Sequence, residues 1–306
     1  MFRLDRRDAV KLFVGAACAV QAAQILPSVA AEPVLISKPI PKTGERLPVI
    51  GVGTNNYSPT TPEERAARKQ VLEALTQGGA KVIDTAPAYR DSERVIGELL
   101  KEIGNRPRAF VATKITAADG MLEESFRRLQ VDTLDLVQVH NLINTAALLP
   151  LLRTKVAEKK IRYIGVTTWT DNQYAELAET LRRETLDFVQ LDYSLGNRNA
   201  ADELLPLAAD RGVAVLVNVP FGGRRASNLF ARVRGQALPD WAKEIDATSW
   251  AQVFLKYVVS HPAVTCAIPG MTQLANLEDN LGAARGRLPD AAMRKRMEAW
   301  WDALPG

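Results

Sequence analysis

The chain has 306 residues, 47% hydrophobic and 24% charged, with two histidines, two cysteines and a formal net charge of +4. That apolar content supports a large core and excludes a disordered chain or a long coiled coil. So few histidines and cysteines leave little for a zinc site or a disulfide framework, and the chemistry is expected to proceed without a protein-held metal.

The first 31 residues read as an export signal that is no part of the fold. Arg3, Arg6, Arg7 and Lys11 open it, an apolar run from Leu12 to Val20 follows, and Ser28-Val29-Ala30-Ala31 supplies small residues for cleavage. The apolar run is shorter than the roughly 20 residues a membrane span needs, so no stable membrane insertion is expected once it is removed. Asp5-Arg6-Arg7-Asp8-Ala9-Val10-Lys11 resembles the twin-arginine export motif, with Ala9 in place of the usual aromatic. The expected destination is a bacterial periplasm, with the twin-arginine machinery as partner during export. Removal leaves a net charge of about +2 and no basic patch of the kind nucleic acid requires. It also removes Cys18, so Cys266 stands alone in the run Val264–Ile268 and reads as a buried structural thiol.

Residues 32–306 are expected to form one unit. Two short extended segments, Ile36–Ile40 and Leu47–Val52, flank Gly44-Glu45 and suit a hairpin lid. Apolar runs then recur at Lys81–Asp84, Ala109–Lys114, Leu134–His140, Ile161–Val166, Phe188–Leu191, Val213–Val219 and Val264–Ile268. Between them lie stretches of helical period such as Glu63–Gln77, Ser92–Glu102, Met121–Leu129, Ala146–Glu158 and Ala201–Ala209. Pro62 and Gly78-Gly79 bracket the first helix, and Ser92 is a candidate cap for the second. With Val49–Gly53 as the first strand there are eight strand–helix units, which predicts an α/β (β/α)8 TIM barrel. Gly51-Val52-Gly53-Thr54 lacks the third glycine of a dinucleotide turn, so a doubly wound sheet is disfavoured. The segment from Pro289 to Leu304 carries Met293, Met297, Trp300 and Trp301 at near-helical spacing and predicts a C-terminal helix packed on the barrel.

Side chains alternate along a strand. One consistent parity turns Val82 and Asp84, then Phe110, Ala112 and Lys114, then Leu136, Gln138 and His140, then Phe188 and Gln190, toward the barrel interior. Polar residues thus gather at the strand ends where barrel active sites lie. Singly, Asp84 also fits a helix cap, Lys114 a snorkelling surface residue and His140 a hydrogen-bonded core histidine. Together they form a row on neighbouring strands, with Tyr89 on the loop above. A phenol must lose about three pKa units, about 4 kcal/mol, to exchange protons readily at neutral pH. One ammonium at about 4 Å in an effective dielectric of 20 supplies roughly that, so a lowered Tyr89 pKa is expected.

From about Leu47 to Asn280 these residues resemble the aldo/keto reductases. Asp84, Tyr89, Lys114 and His140 match that family's catalytic tetrad in order and spacing, and Val82–Ala86, Ile161–Val166 and Ile268-Pro269-Gly270 are similar to its flanking segments. The resemblance implies NAD(P)H-dependent reduction of a small aldehyde or ketone, with Tyr89 as proton donor, Lys114 tuning it, Asp84 holding Lys114 and His140 orienting the carbonyl.

It also implies cofactor contacts at Thr54, Asp84, Gln190, Pro220, Phe221, Gly222 and Gly270. Thr167-Thr168 replaces the family's Ser-Asn pair at the nicotinamide, and Asn218 replaces its stacking aromatic, with Phe221 near but out of register. Asp279 and Asn280 match the acidic–Asn pair of the adenine site. The Lys and Arg that often clasp a 2′-phosphate are missing, with Gly270 and Asn276 in their place; Arg224-Arg225 in the loop after strand seven fits either a phosphate contact or a solvated surface pair. NADP(H) is preferred over NAD(H), with nicotinamide binding loosened. Tyr57, Asn141 and Trp169 are expected along the substrate, and Trp241 and Trp250 lie where substrate-selecting loops or core packing would place them. The altered Thr167-Thr168 and Asn218 leave a non-catalytic cofactor-binding sensor as the alternative. A barrel hydrolase or lyase lacks the paired acids it would need.

Overall fold

The computed structural model describes residues 34–223 and 228–304. Residues 1–31, expected to be an export signal, and Arg224-Arg225 therefore lie outside the described residues. Two strands, β1 (Ser37–Pro39) and β2 (Arg46–Pro48), pair antiparallel as a hairpin. Eight more form one parallel sheet in sequence order: β3 (Val52–Gly53), β4 (Val82–Asp84), β5 (Phe110–Ile115), β6 (Leu134–Val139), β7 (Ile161–Thr167), β8 (Phe188–Asp192), β9 (Ala214–Asn218) and β10 (Val264–Ala267). Parallel bridges Ile50↔Ala267 and Gly53↔Gly270 join the first strand to the last. The seam is tight: a Cβ on Gly53 would stand 2.7 Å from the carbonyl oxygen of Ile268, so only glycine lets the two backbones meet. This is the expected (β/α)8 barrel.

The helices run α1 (Pro62–Gln77), α2 (Ser92–Ile103), α3 (Met121–Leu129), α4 (Thr145–Ala157), α5 (Tyr174–Arg183), α6 (Leu204–Asp210), α7 (Leu229–Arg232), α8 (Trp250–Ser260), α9 (Leu274–Gly282) and α10 (Ala291–Asp302). The predicted bounds of α1, α2 and α3 are matched within a residue. Thr61 caps α1, its hydroxyl accepting from the Glu64 amide, with Pro62 at the first position. Ser92 is not the cap of α2, however. Asp91 occupies that place, while the Ser92 hydroxyl is buried against Thr54 and Thr85, 2.9 Å from each hydroxyl.

The predicted inward parity is the one observed. Val82, Phe110, Ala112, Leu136, Tyr163, Phe188, Ala214, Leu216, Cys266 and Ile268 form one apolar cluster inside the barrel, capped by Ile40 and Leu47 of the hairpin. The hairpin is a plug for the N-terminal mouth rather than a lid over the polar strand ends. Thr43 reaches Tyr163 and Lys42 reaches Asp187, both at strand starts. The larger cluster lies between sheet and helices and takes in Tyr57 and Trp241. Trp250 stacks on Trp300 of α10 at 5.2 Å, and Met297 and Trp301 of that helix are buried. Trp241 and Trp250 are thus packing residues.

Candidate active site

Barrel stagger decides how the tetrad meets. Asp84 pairs in register with Ala112, and Lys114 with Gln138, so each polar side chain stands two residues farther along than its neighbour. A step of two residues is about 6.6 Å. The long Lys114 side chain spans it, reaching back to donate to Asp84 Oδ1 at 2.8 Å, Asp84 Oδ2 at 2.7 Å and the Thr85 carbonyl at 2.8 Å. The ammonium also makes a side-chain hydrogen bond with Tyr89. The pair is fully interior, Lys114 being 1% and Asp84 2% exposed. Burial by itself disfavours this ammonium, but Asp84 and Tyr89 outweigh it and hold Lys114 above its ordinary pKa. Burial raises Asp84, with Lys114 and Gln190 pulling the other way.

Lys114 Nζ lies 5.1 Å from the Tyr89 ring centroid, and the Tyr89 and His140 rings meet edge-on at 6.2 Å. The expected lowering of the Tyr89 pKa does not occur. Burial raises it, Lys114 lowers it and Asp84 raises it, for a net upward shift. Desolvation of the buried phenolate is the largest of these effects, and together with the Asp84 charge it outweighs the ammonium. Tyr89 consequently keeps its proton through neutral pH. Burial and the Lys114 charge push His140 down to about 4, so its imidazole is neutral there.

These four side chains open into a cavity of about 780 Å³ at the C-terminal ends of the strands. Its wall includes Thr54, Thr167, Gln190, Asn218, Pro220, Phe221, Gly222 and Gly270 from the expected cofactor residues, and Asn141 and Trp169 from the expected substrate residues. Trp169 is 60% exposed and stands as an open indole at the rim.

Four of the expected residues stand outside the cavity wall. Tyr57 is fully buried with its hydroxyl unpaired, packed in the outer core and absent from the cavity wall. Thr168 turns its hydroxyl away, donating to Gln173 Oε1 at 2.7 Å. Asp279 is spent on α8, accepting from Ser249 Oγ at 2.9 Å and Gln252 Nε2 at 2.8 Å. Asn280 is buried and outside the cavity wall. The wall also contains Asn55, Asn56, Val219, Gly223 and Asn228, which no sequence signal singled out. Val219 is a β-branched residue at φ +48°, a conformation that the chain order alone does not announce.

The wall suits a nicotinamide nucleotide. Asn218 donates through Nδ2 to the Thr168 carbonyl at 2.8 Å, and its Oδ1 is a buried acceptor without a partner. An acceptor left unpaired is costly unless a ligand donor completes it. A Cβ on Gly270 would meet nothing closer than the Gly53 carbonyl at 3.8 Å, leaving open wall beside the strand seam.

Residues 49–300 match the model of the aldo/keto reductase family. A methylglyoxal reductase of Escherichia coli strain K12, YeaE, is 30% identical over 264 residues, covering 81% of this chain and 89% of that protein. An aldo/keto reductase from Klebsiella pneumoniae in complex with NADP and acetate superposes with a TM-score of 0.68 at 25% identity, covering 84% of this chain and 93% of that one. A Klebsiella pneumoniae aldo-keto reductase in complex with NADPH gives 0.69 at 25% identity, covering 88% and 95%.

Proposed function

The chain belongs to the aldo/keto reductase family and is an NAD(P)-dependent oxidoreductase; we propose that it reduces a small aldehyde or ketone to the alcohol, with Tyr89 giving the proton. The observation that carries this reading is the buried Lys114–Asp84 pair beneath a protonated Tyr89 and a neutral His140, all facing one cavity. A reduced nicotinamide, when bound, supplies the hydride to the carbonyl carbon.

The chain's own residues do the rest. His140, uncharged, orients the carbonyl oxygen through one hydrogen bond without competing for its proton. Tyr89 transfers its phenolic proton to that oxygen as negative charge grows there. Lys114 stabilises the phenolate left behind, and Asp84 keeps Lys114 charged and aimed. Thr167, Gln190 and Asn218 would hold the nicotinamide, with Phe221 and Gly222 along its phosphates. NADP(H) in preference to NAD(H) is supported by the nucleotides of the two Klebsiella proteins.

Oxidation of NADPH followed at 340 nm with a panel of small aldehydes, methylglyoxal included, tests the reading. Tyr89→Phe is expected to cut kcat about 1,000-fold, within the range of a positioned general acid, while NADPH binding persists. Full activity of that variant would sink the assignment. We also read residues 1–31 as an export leader that places the mature enzyme in the periplasm. N-terminal sequencing of the protein recovered from the periplasmic fraction is expected to begin near residue 32.

A further inference from the structure

Gln173 links the two halves of the cavity. It sits at the start of α5, behind the cavity wall, and both ends of its amide are used. Its Oε1 accepts from the Thr168 hydroxyl at 2.7 Å, and its Nε2 donates to the Asn141 carbonyl at 2.8 Å. Thr168 in turn offers its backbone carbonyl to Asn218 Nδ2 at 2.8 Å, which leads to the unpaired acceptor on the nicotinamide side of the cavity. Asn141 immediately follows His140.

The turn that carries His140 is strained and gripped. Asn141, Leu142 and Asn144 all have positive φ, at +53°, +58° and +61°. Asparagine tolerates this region, but a leucine adopts it only where surrounding contacts impose it. Those contacts are side chains. The Asn141 amide donates to Thr167 Oγ1 at 2.9 Å, while Gln173 holds the same residue's carbonyl. Asn144 Nδ2 donates to the Thr116 carbonyl at 2.7 Å, and Thr145 Oγ1 donates to the Leu142 carbonyl at 2.8 Å. Of these, Thr167 is joined to Thr168 through the backbone, and Gln173 reaches Thr168 through its side chain. A threonine hydroxyl has a single proton to give, and Thr168 gives it to Gln173 at its shortest contact.

We propose that Gln173 is a positioning residue: its amide fixes the Asn141 peptide, and through it the His140 imidazole, to the Thr168–Asn218 wall, so that occupation of the nicotinamide side and alignment of the carbonyl-orienting histidine are coupled. The proposal rests on the reductase reading for its kinetic consequence but not for its structural one. Because the chain has two histidines, the titration of His140 can be followed directly by NMR without turnover. The groups facing that imidazole are Lys114, which lowers it, and Tyr89 across the ring contact.

The test uses the full chain with three variants. Gln173→Leu removes both hydrogen bonds at nearly constant volume. Gln173→Glu keeps an acceptor for Thr168 but loses the donor to Asn141, and Thr168→Val removes the other end. In Gln173→Leu the NMR midpoint of His140 is expected to rise by at least one unit toward its ordinary value, as the loosened turn admits water. The kcat/KM for methylglyoxal should fall about 10-fold or more, chiefly through KM for the aldehyde, with thermal unfolding shifted by a few degrees at most. Gln173→Glu should show the same His140 shift yet keep the NADPH dissociation constant, read by tryptophan fluorescence, within about twofold of the parent. The double variant Gln173→Leu/Thr168→Val should be no worse than Gln173→Leu alone, the mark of one shared path. An unchanged His140 titration in Gln173→Leu overturns the proposal, as does full additivity in the double variant's NADPH affinity and His140 midpoint. If the parent turns over no carbonyl at all, the reductase reading fails, and the titration and NADPH binding still decide the role of Gln173.

Discussion

The two mouths of this barrel are built from the same strands to opposite ends. At the N-terminal mouth the buried carboxylates are answered by neighbours. Asp135 accepts from the Val111 amide, Arg106 and Arg162, and Asp187 accepts from the Ile164 amide and Lys42. The hairpin contributes Glu45, which meets Arg162 and the Tyr163 hydroxyl, and seals the barrel with Ile40 and Leu47. At the C-terminal mouth backbone is held in costly conformations at Asn141, Leu142 and Val219, the Asn218 acceptor is unpaired, and a lysine and an aspartate are buried side by side. Stability is concentrated at one end so that strain and unpaired polarity can be kept at the other.

Substitutions sharpen that contrast. The largest effect is expected from Lys114→Met, which strands the Asp84 carboxylate in the interior. Removing one partner of a buried pair costs about 3–5 kcal/mol, and urea unfolding is expected to show a loss of about 3 kcal/mol with abolished turnover. An unchanged unfolding midpoint would mean the pair is not a structural unit of the active mouth.

Next is acid, which reaches both mouths at once. His140 lies at the active one, and His261, held down to about 4 by burial and by Arg294 and Lys38, lies near the start of β10 at the other. Both folded pKa values fall below the ordinary 6.5, so the folded state binds fewer protons than the unfolded chain between about 4 and 6.5. Stability is complete above pH 6.5 and declines as pH falls toward 4, by about 2 kcal/mol for His140 at pH 4.5 and by less for His261, whose half-buried ring is screened by solvent. His140→Asn should remove the larger part of that dependence and leave the His261 part, as judged by denaturant midpoints at pH 7 and 4.5.

The smallest effect belongs to Asp135→Asn, which weakens the plugged mouth alone. It is expected to cost about 1–2 kcal/mol in thermal unfolding with kcat within twofold of the parent. A matching fall in kcat would show that the two ends are not independent.

The barrel was readable because its signals are local. Apolar runs of four to seven residues, Pro62 behind Thr61, and the alternation that turns Asp84, Lys114 and Gln190 inward are all properties of short segments. The tetrad was readable for the same reason, since each member sits at or just beyond a strand end. What the sequence misplaced depended on distant neighbours. Tyr57 reads as a cavity aromatic, yet α1 packs against its loop and buries it. Ser92 reads as a cap until Thr54 and Thr85 claim its hydroxyl. Asp279 is drawn off by Ser249 and Gln252, which lie about 30 residues earlier in the chain.

From the chain alone come the fold, the inward parity of four strands and the four polar residues that gather at one mouth, because periodicity and strand-end position are written within a few residues. The three-dimensional arrangement alone decides the sign of the Tyr89 shift, the two-residue step that Lys114 must span and the grip of Gln173 on the His140 turn. Desolvation, stagger and side-chain hydrogen bonding between separate loops exist only once the strands are closed into a cylinder.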